Sequence, residues 1–211
     1  GLLDFGDVDV GDLAERSVVV TNHGADTVTV KAGHTWAHPA VSATVGDMAV
    51  AHGDWSPLNI VLEPGEQTVC TVTMAPTHFG DVGGALVLDT DAAEQPTTKI
   101  RVTGVARQAL LKFDPPELLL IALPGESVSH PLRVSVAGNK GATVEQVILE
   151  GASTDGFSID FGELAAPSVT APLVLPAHTE LPLEITYSPD VVSPLDEAMD
   201  YVPDTATLRV V

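Results

Sequence analysis

The sequence repeats itself at an interval of slightly more than 100 residues, and this repetition limits what the chain can fold into. Residues 61–76 align without a gap onto residues 174–189, an offset of 113 positions. Residues 2–5, Leu-Leu-Asp-Phe, recur at 110–113 as Leu-Leu-Lys-Phe, an offset of 108 positions. Two offsets that differ by only a few residues of loop indicate an internal duplication. Each copy has the length of one small domain.

Short stretches in which apolar and polar residues alternate predict that both copies consist of β-strands. The clearest is 97–106, where basic side chains alternate with branched apolar ones. Turn-forming pairs such as Pro64-Gly65 separate these stretches. We therefore predict an all-β fold of two tandem immunoglobulin-like antiparallel β-sandwiches, with domains at residues 1–107 and 108–211.

The predicted strands follow the same plan in both domains. In the first domain they are residues 2–5, 15–22, 27–32, 58–62, 68–74, 84–89 and 97–106, with a long connection at 34–54 that holds a further candidate strand at 41–45. In the second domain they are residues 110–112, 118–122, 128–136, 143–150, 172–175, 181–187 and 205–211. No segment after Val211 matches 97–106, so we expect the second domain to lack its last strand and to be completed by further chain or by a partner.

The charge of the chain argues against polyanionic partners. Nine Lys and Arg residues stand against 29 Asp and Glu residues, a formal net charge of -20, and the basic residues never cluster. Binding to a phosphate backbone requires such a cluster, so we expect no nucleic-acid partner. The longest apolar run, residues 118–123, is far shorter than the roughly 20 residues that span a bilayer, so we expect no direct membrane insertion.

Acidic loops are the candidate metal sites. Asp89, Asp91 and Glu94 lie in the hairpin before the last strand of the first domain, and flexible loops of hard oxygen ligands suit calcium. Two other acidic groups are candidates of the same kind: Asp7, Asp9 and Asp12, and in the second domain Asp190, Asp196, Glu197, Asp200 and Asp204. None has the twelve-residue loop of an EF-hand, and solvated acidic turns are the commoner explanation.

Trp36 and Trp55 are the candidate contact residues. Trp36 lies in the long connection together with His34, His38 and His52, and Trp55 directly follows it. Residues four apart in a strand are about 13 Å apart, too far to share one metal ion, so these histidines do not predict a metal site. The tryptophans are expected to pack the loop against the sandwich or to form an exposed contact patch.

No sequence feature predicts catalysis. Cys70, the only cysteine, occupies a position held by Leu183 in the second copy, so we interpret it as a small core residue. The chain has no phosphate-binding glycine loop, no HExxH and no paired CxxC, and Gly151-Ala-Ser-Thr-Asp-Gly156 is not a nucleophile elbow. We therefore predict no catalytic residues and no cofactor, apart from calcium as the candidate ion, and we predict that the chain is not an enzyme.

Several short motifs resemble one group of known repeats. They are Phe5-Gly6 to Gly11, Ser17 to Gly24 with Asn22-His-Gly24, Leu62-Glu-Pro-Gly65, Met74-Ala-Pro76 with Phe79-Gly80, and Val102-Thr-Gly104. Together they resemble the ASH repeats of ciliary and centrosomal proteins and the choice-of-anchor D repeats of bacterial surface proteins, which belong to the major-sperm-protein and PapD-like group of sandwiches. The second domain departs from the pattern, with Val136-Ala-Gly138 at the turn and an acidic insertion at 191–204.

This resemblance implies a non-catalytic module used in tandem. We predict a structural or adhesive segment of a larger multi-domain protein that acts as a spacer and docks other proteins or neighbouring domains of the same chain. A bacterial cell-envelope or secreted setting is the first expectation. A ciliary or cytoskeletal scaffold segment is the alternative for a eukaryotic source, and a calcium- or carbohydrate-binding domain is the alternative of a different class.

Overall fold

The computed structural model describes residues 1–151, 154–190 and 204–211. These residues form β-strands, turns and loops, and none of them belongs to a helix that could cross a membrane.

The chain divides into two compact units, Gly1–Gln108 and Ala109–Val211. The strands of unit 1 are β1 Leu2–Asp9, β2 Ala14–Thr21, β3 Val28–Ala37, β4 Val41–Val45, β5 Met48–Val50, β6 Ser56–Leu62, β7 Gln67–Met74, β8 Gly80–Thr90 and β9 Thr97–Arg107. Those of unit 2 are β10 Leu111–Asp114, β11 Val128–Val136, β12 Ala142–Val144, β13 Val147–Glu150, β14 Phe157–Asp160, β15 Leu173–Leu175, β16 Glu180–Tyr187 and β17 Thr207–Val210.

Unit 1 contains a five-stranded and a four-stranded sheet. The first has the order β1-β9-β8-β3-β6, and the second β2-β7-β4-β5. Every pairing is antiparallel except that of β1 with β9, which run parallel. Alternate residues of both sheets contribute to one apolar core, because successive side chains of a strand point to opposite faces. Leu86 and Leu88 of β8 are fully buried there.

Unit 2 has smaller sheets. One has the order β10-β11-β16-β14, and two further pairs join β12 to β15 and β13 to β17. Its core is built around Val134, Val144 and Leu181, each at most 1% exposed. The repeat is visible in the pairing: β11 lies against β16 as β2 lies against β7.

The prediction of a long connection at residues 34–54 is wrong. It contains the last part of β3, all of β4 and β5, and only short turns between them, and the candidate strand at 41–45 is β4. The strand β3 continues to Ala37 because β8 pairs with it from Val30 to Ala37. Gly84 of β8 lies opposite Ala37 and lets the two backbones approach closely there.

Three predictions for the second domain need correction. Residues 118–122 form no strand, although their side chains alternate between half-buried and exposed, because they have no strand to pair with in the described part of the chain. The predicted strand at 143–150 is divided into β12 and β13, since Glu145 and Gln146 turn to bond the backbone of Val211. The short strand β14 was missed. It pairs with β16, and Phe157 stacks on Tyr187 with ring centroids 4.7 Å apart.

Candidate functional site

The last residues of β3 carry an aromatic surface on the outer side of the five-stranded sheet. Gly33 and Thr35 are buried in unit 1. Because successive residues of a strand face opposite sides of the sheet, His34 and Trp36 point outward. Trp36 is 78% exposed, which is unusual for so large an apolar side chain on a regular strand. We call the surface formed by His34, Trp36 and Trp55 the aromatic face.

The loop before β6 brings the second tryptophan to this surface. Its backbone bonds to Thr35 in three ways: the Thr35 N–H and hydroxyl donate to the carbonyl of Ala51 at 3.0 and 3.3 Å, and the Gly53 N–H donates to the Thr35 carbonyl at 2.9 Å. The Ala51 N–H donates to the Ser56 hydroxyl oxygen at 2.8 Å, which closes the loop on itself. Buried Thr35 therefore anchors the loop that holds Trp55.

Trp55 packs edge-on against His34. The two ring centroids are 4.1 Å apart and their planes are inclined at 71°. Trp55 nevertheless remains 52% exposed. The Nδ1 atom of His34 is buried and has no hydrogen-bond partner among the described residues. The contact of the imidazole with Trp55 is therefore a packing contact between the two rings.

A close backbone contact fixes the end of β3 beside Trp36. Ala37 lies opposite Gly84 of β8, and the His38 N–H donates to the Gly83 carbonyl at 2.9 Å. A Cβ atom on Gly84 would lie 2.5 Å from both the Ala37 Cβ and the Trp36 carbonyl oxygen, and closer still to the Ala37 Cα. Gly84 also has φ +150°, which side chains rarely allow. Only glycine permits this approach.

The candidate calcium residues do not form one cluster. Asp89 belongs to β8 and pairs with Thr97 of β9. Asp91 and Glu94 instead line an open groove of about 690 Å³, together with the loop that follows Asn22. Asp91 is already engaged, because its Oδ1 accepts the Thr29 N–H at 2.6 Å. This hydrogen bond lowers the pKa of the Asp91 carboxyl.

Groups of three or more His, Cys, Asp or Glu side chains suited to hold a metal are absent from residues 1–151, 154–190 and 204–211. Asp7 pairs with Arg107 at 3.0 Å, and Asp204 accepts the Tyr187 hydroxyl at 2.7 Å. Asp196, Glu197 and Asp200 lie outside the described residues. Calcium binding therefore stays a prediction, and the observed geometry gives it no assembled site.

The remaining sequence candidates have structural roles. His38 accepts the Ala40 N–H at 3.2 Å, and His52 forms an isolated bridge with Thr35, so the histidines of this region face different neighbours. Cys70 lies in the core of unit 1 with no exposed surface, and burial raises the pKa of its thiol to about 11. A thiol of this kind stays protonated at neutral pH and is a poor nucleophile.

The sequence predicted both tryptophans as contact residues but did not predict that His34 lies on the same strand as Trp36 and packs against Trp55. It placed His34 in a connection rather than on a strand, so it could not see that His34 and Trp36 share one face. The available signal was the alternation of Gly33, Thr35 and Ala37 with larger residues, which has the period of a strand. Anchoring of the loop through Thr35 depends on tertiary contacts and leaves no pattern in the sequence.

Proteins of solved structure resemble this chain at low sequence identity. A search of curated protein sequences finds no match. Among solved structures, the chain is similar to the ASH/PapD-like domain 7 of human CEP192, with 17% identity over 52% of this chain and 82% of that one and a TM-score of 0.35. It is also similar to the secreted serine protease VesC from Vibrio cholerae, with 10% identity over 88% of this chain and 45% of that one and a TM-score of 0.37. A protein of unknown function from Porphyromonas gingivalis W83 shows 12% identity over 88% of this chain and 79% of that one, with a TM-score of 0.36.

The match to a family is more specific than these structural likenesses. It covers residues 1–105, which are nearly the whole of unit 1. The matching family is described as the HYDIN/CFA65/VesB-like, Ig-like domain. Its β-sandwich architecture agrees with the two sheets and the single apolar core seen in this unit. Residues 1–105 therefore form an immunoglobulin-like domain of the HYDIN/CFA65/VesB-like family.

Proposed function

We propose that this chain is a non-catalytic structural or adhesive segment of a larger multi-domain protein, and that unit 1 docks a protein partner or a neighbouring domain through the aromatic face. The observation that carries the proposal is the exposure of two tryptophans, Trp36 on the strand β3 and Trp55 against His34 of the same strand. Exposed aromatic residues of this kind mark interaction sites, and tryptophan is among the residues that contribute most to binding energy.

The rigidity of the face supports this role. The backbone at Trp36 is fixed by the close contact of Ala37 with Gly84, and Trp55 is held by the ring of His34 and by the loop bonded to Thr35. Side chains that are already ordered lose little conformational entropy when a partner covers them. The face therefore gains affinity from burial of apolar surface without first having to fold.

The chemistry of the face favours a polypeptide partner with apolar or proline-rich surface. Its three rings carry no carboxylate or ammonium group, so the hydrophobic effect and ring stacking supply the attraction. The net charge of -20 elsewhere on the chain repels other acidic surfaces and limits self-association. A secreted or cell-envelope bacterial protein suits such a chain, and a ciliary or cytoskeletal scaffold is the alternative if the source is eukaryotic.

Alanine substitution and surface plasmon resonance test the proposal with purified neighbouring domains of the parent protein as the probe. Trp36→Ala and Trp55→Ala should each weaken binding by at least tenfold, the loss of about 1.4 kcal/mol or more expected at an interface anchor. Val19→Ala is the matched control, since Val19 is 50% exposed on the other sheet. Equal effects of all three substitutions, or no effect of either tryptophan change, would overturn the proposal.

A carbohydrate ligand is the second candidate, because exposed indole rings also stack on sugar rings. Titration with an oligosaccharide panel distinguishes the two readings. Saturable quenching of the tryptophan emission by one glycan, together with no response to the neighbouring domains, would favour the carbohydrate reading. The reverse result would favour protein docking.

A further inference from the structure

Two basic residues of β9 lie on the same side of the five-stranded sheet as the aromatic face. Ile100 and Val102 of this strand are 2% and 1% exposed and belong to the core of unit 1. Because successive residues of a strand face opposite sides of the sheet, Lys99 and Arg101 point away from the core. Both basic residues are exposed. The outer side of this sheet therefore carries aromatic and basic residues together.

The strand register places these residues in common rows. The strand β8 lies between β3 and β9. Trp36 is opposite Ala85 of β8, and Ala85 is opposite Arg101. The neighbouring row consists of His34, Val87 and Lys99. Neighbouring strands lie about 4.8 Å apart, so the backbones of Trp36 and Arg101 are separated by about 10 Å. We call the two rows together the aromatic-basic surface.

Ala85 shows that this surface is continuous across β8. Leu86 and Leu88 of the same strand belong to the core of unit 1, whereas Ala85 does not, so its side chain points outward. It is nevertheless only 3% exposed. A single methyl group on the outer side of a sheet is buried because larger neighbouring side chains cover it. Since Trp36 and Arg101 are its neighbours on the two adjoining strands, the aromatic and basic side chains border one surface.

The charges of the aromatic-basic surface are positive, unlike those of the chain as a whole. The two rows contain no acidic residue, and no carboxylate of the described residues forms an ion pair with Lys99 or Arg101. Acidic residues occur one row beyond on each side, at Asp89 and Asp4. The Asp4 carboxylate already accepts the Thr103 hydroxyl at 3.3 Å. The guanidinium and ammonium groups are therefore available to a partner.

We infer that the partner of the aromatic face is a polypeptide segment that carries carboxylates beside apolar or proline residues. This inference rests on the proposed docking function of the face and specifies the partner. An apolar or proline residue packs on Trp36, and a carboxylate accepts paired hydrogen bonds from the guanidinium of Arg101. An extended segment advances about 3.3 Å per residue, so three residues span the distance of about 10 Å between these two positions.

The charge distribution favours an acidic segment over a basic one at this surface. A basic segment would be attracted to most of a chain with a net charge of -20, but it would meet two like charges beside the aromatic face. An acidic segment is repelled by most of the chain and attracted to Lys99 and Arg101. The aromatic-basic surface therefore combines apolar attraction with a charge that directs an acidic segment to one place.

Fluorescence titration of the intact 211-residue protein tests the inference, because both tryptophans of the sequence belong to unit 1. The probe is the synthetic peptide Gly-Pro-Leu-Ser-Glu-Glu-Gly, and its matched control has glutamine in place of both glutamates. The acidic peptide should bind about fivefold more tightly than the control and lose this advantage in molar NaCl, which screens exposed charges. Arg101→Gln should remove most of the difference. Arg16→Gln, the same change of charge on the other sheet, should retain it.

Reversal of the charge separates recognition from loss of folding. Arg101→Glu should bind a peptide with lysine in place of the glutamates more tightly than the acidic peptide, and an unfolded variant would not invert its preference in this way. A wild-type protein that binds the acidic and glutamine peptides equally would overturn the inference, and so would the absence of binding of either peptide at millimolar concentration. Tighter binding of the acidic polysaccharide polygalacturonate than of the acidic peptide would overturn the assignment of a polypeptide partner.

Trp36→Ala distinguishes failure of this inference from failure of the proposed function. If both peptides bind equally and Trp36→Ala weakens both, the aromatic face docks a partner but does not select acidic segments. If Trp36→Ala leaves the binding of both peptides unchanged, the aromatic face is not the docking site, and the inference fails together with the proposed function. The expected result is weaker binding of both peptides to Trp36→Ala, because both carry the proline and leucine that pack on the indole ring.

Discussion

Gly84→Ala should destabilise unit 1 far more than Gly83→Ala does. A Cβ atom at position 84 would overlap the backbone of Trp36 and Ala37. It would lie 2.5 Å from the carbonyl oxygen of Trp36. The φ of +150° adds strain of its own. A non-glycine residue in such a conformation costs about 1–3 kcal/mol, and forcing extra atoms into a packed site costs a further 1–3 kcal/mol. We therefore expect Gly84→Ala to reduce the free energy of unfolding by roughly 3–5 kcal/mol.

Gly83→Ala is the matched control. Its Cβ would meet only the Val102 carbonyl oxygen, at an ordinary 3.7 Å, and its φ lies outside the left-handed region. Because alanine restricts the unfolded chain more than glycine, we expect this change to alter stability by less than about 1 kcal/mol, in the stabilising direction. The two variants differ by one position and by nothing else.

Tryptophan fluorescence during urea unfolding measures the effect in the intact chain. Both tryptophans of the sequence, at positions 36 and 55, belong to unit 1, so their emission follows that unit alone. A loss of 3 kcal/mol should lower the thermal midpoint of a domain of this size by at least about 12 °C. If Gly84→Ala unfolded within about 1 kcal/mol of Gly83→Ala, the argument that this contact holds the aromatic face would fail.

Three further outcomes are expected. The buried Cys70 thiol should not react with Ellman's reagent until unit 1 unfolds. Burial holds the pKa of this thiol at about 11 in the folded protein, so the thiol of the unfolded chain ionises first as the pH rises. Between pH 9 and 11 the free energy of unfolding should therefore fall by roughly 2–3 kcal/mol relative to that of Cys70→Ala. The hydrogen bond from the Thr29 N–H lowers the pKa of the Asp91 carboxyl in the folded protein. Asp91 should therefore stabilise unit 1 at pH values above the carboxyl pKa of the unfolded chain, and this stabilisation should be lost as the pH falls through the carboxyl pKa of the folded protein. An NMR titration that showed no lowering of the Asp91 pKa would contradict this. Calcium at millimolar concentration should leave the calorimetric midpoint of unit 1 unchanged relative to EDTA, because its described acidic side chains form no group of three suited to a metal, and a rise of several degrees in that midpoint would contradict this.

Local alternation was enough to predict the all-β fold and most of the strands. β7 and β11 could be located because apolar and polar residues alternate along them without glycine. The prediction failed where hydrogen bonding rather than side-chain pattern decides the state. Residues 118–122 have the pattern of a strand but no partner strand among the residues that the structure describes, and β14 has a partner but only four residues of pattern.

The site could be predicted only in part, for a related reason. Exposure of Trp36 follows from its place in the alternation of β3, once β3 is known to continue past Gly33. That continuation depends on β8, which lies some 50 residues away in the sequence and approaches closely because of Gly84. Contacts between distant segments leave no local period, so a single sequence does not contain them in readable form.

Acrylamide quenching of the tryptophan emission is the most direct test of the proposal that unit 1 docks a partner through the aromatic face. In the free protein both tryptophans should be accessible to the quencher, Trp36 at 78% exposure more so than Trp55 at 52%. Addition of a saturating neighbouring domain should shift the emission to shorter wavelength and protect both rings. Rings already protected in the free protein would contradict the structure of the face, and full binding without protection would place the docking surface elsewhere.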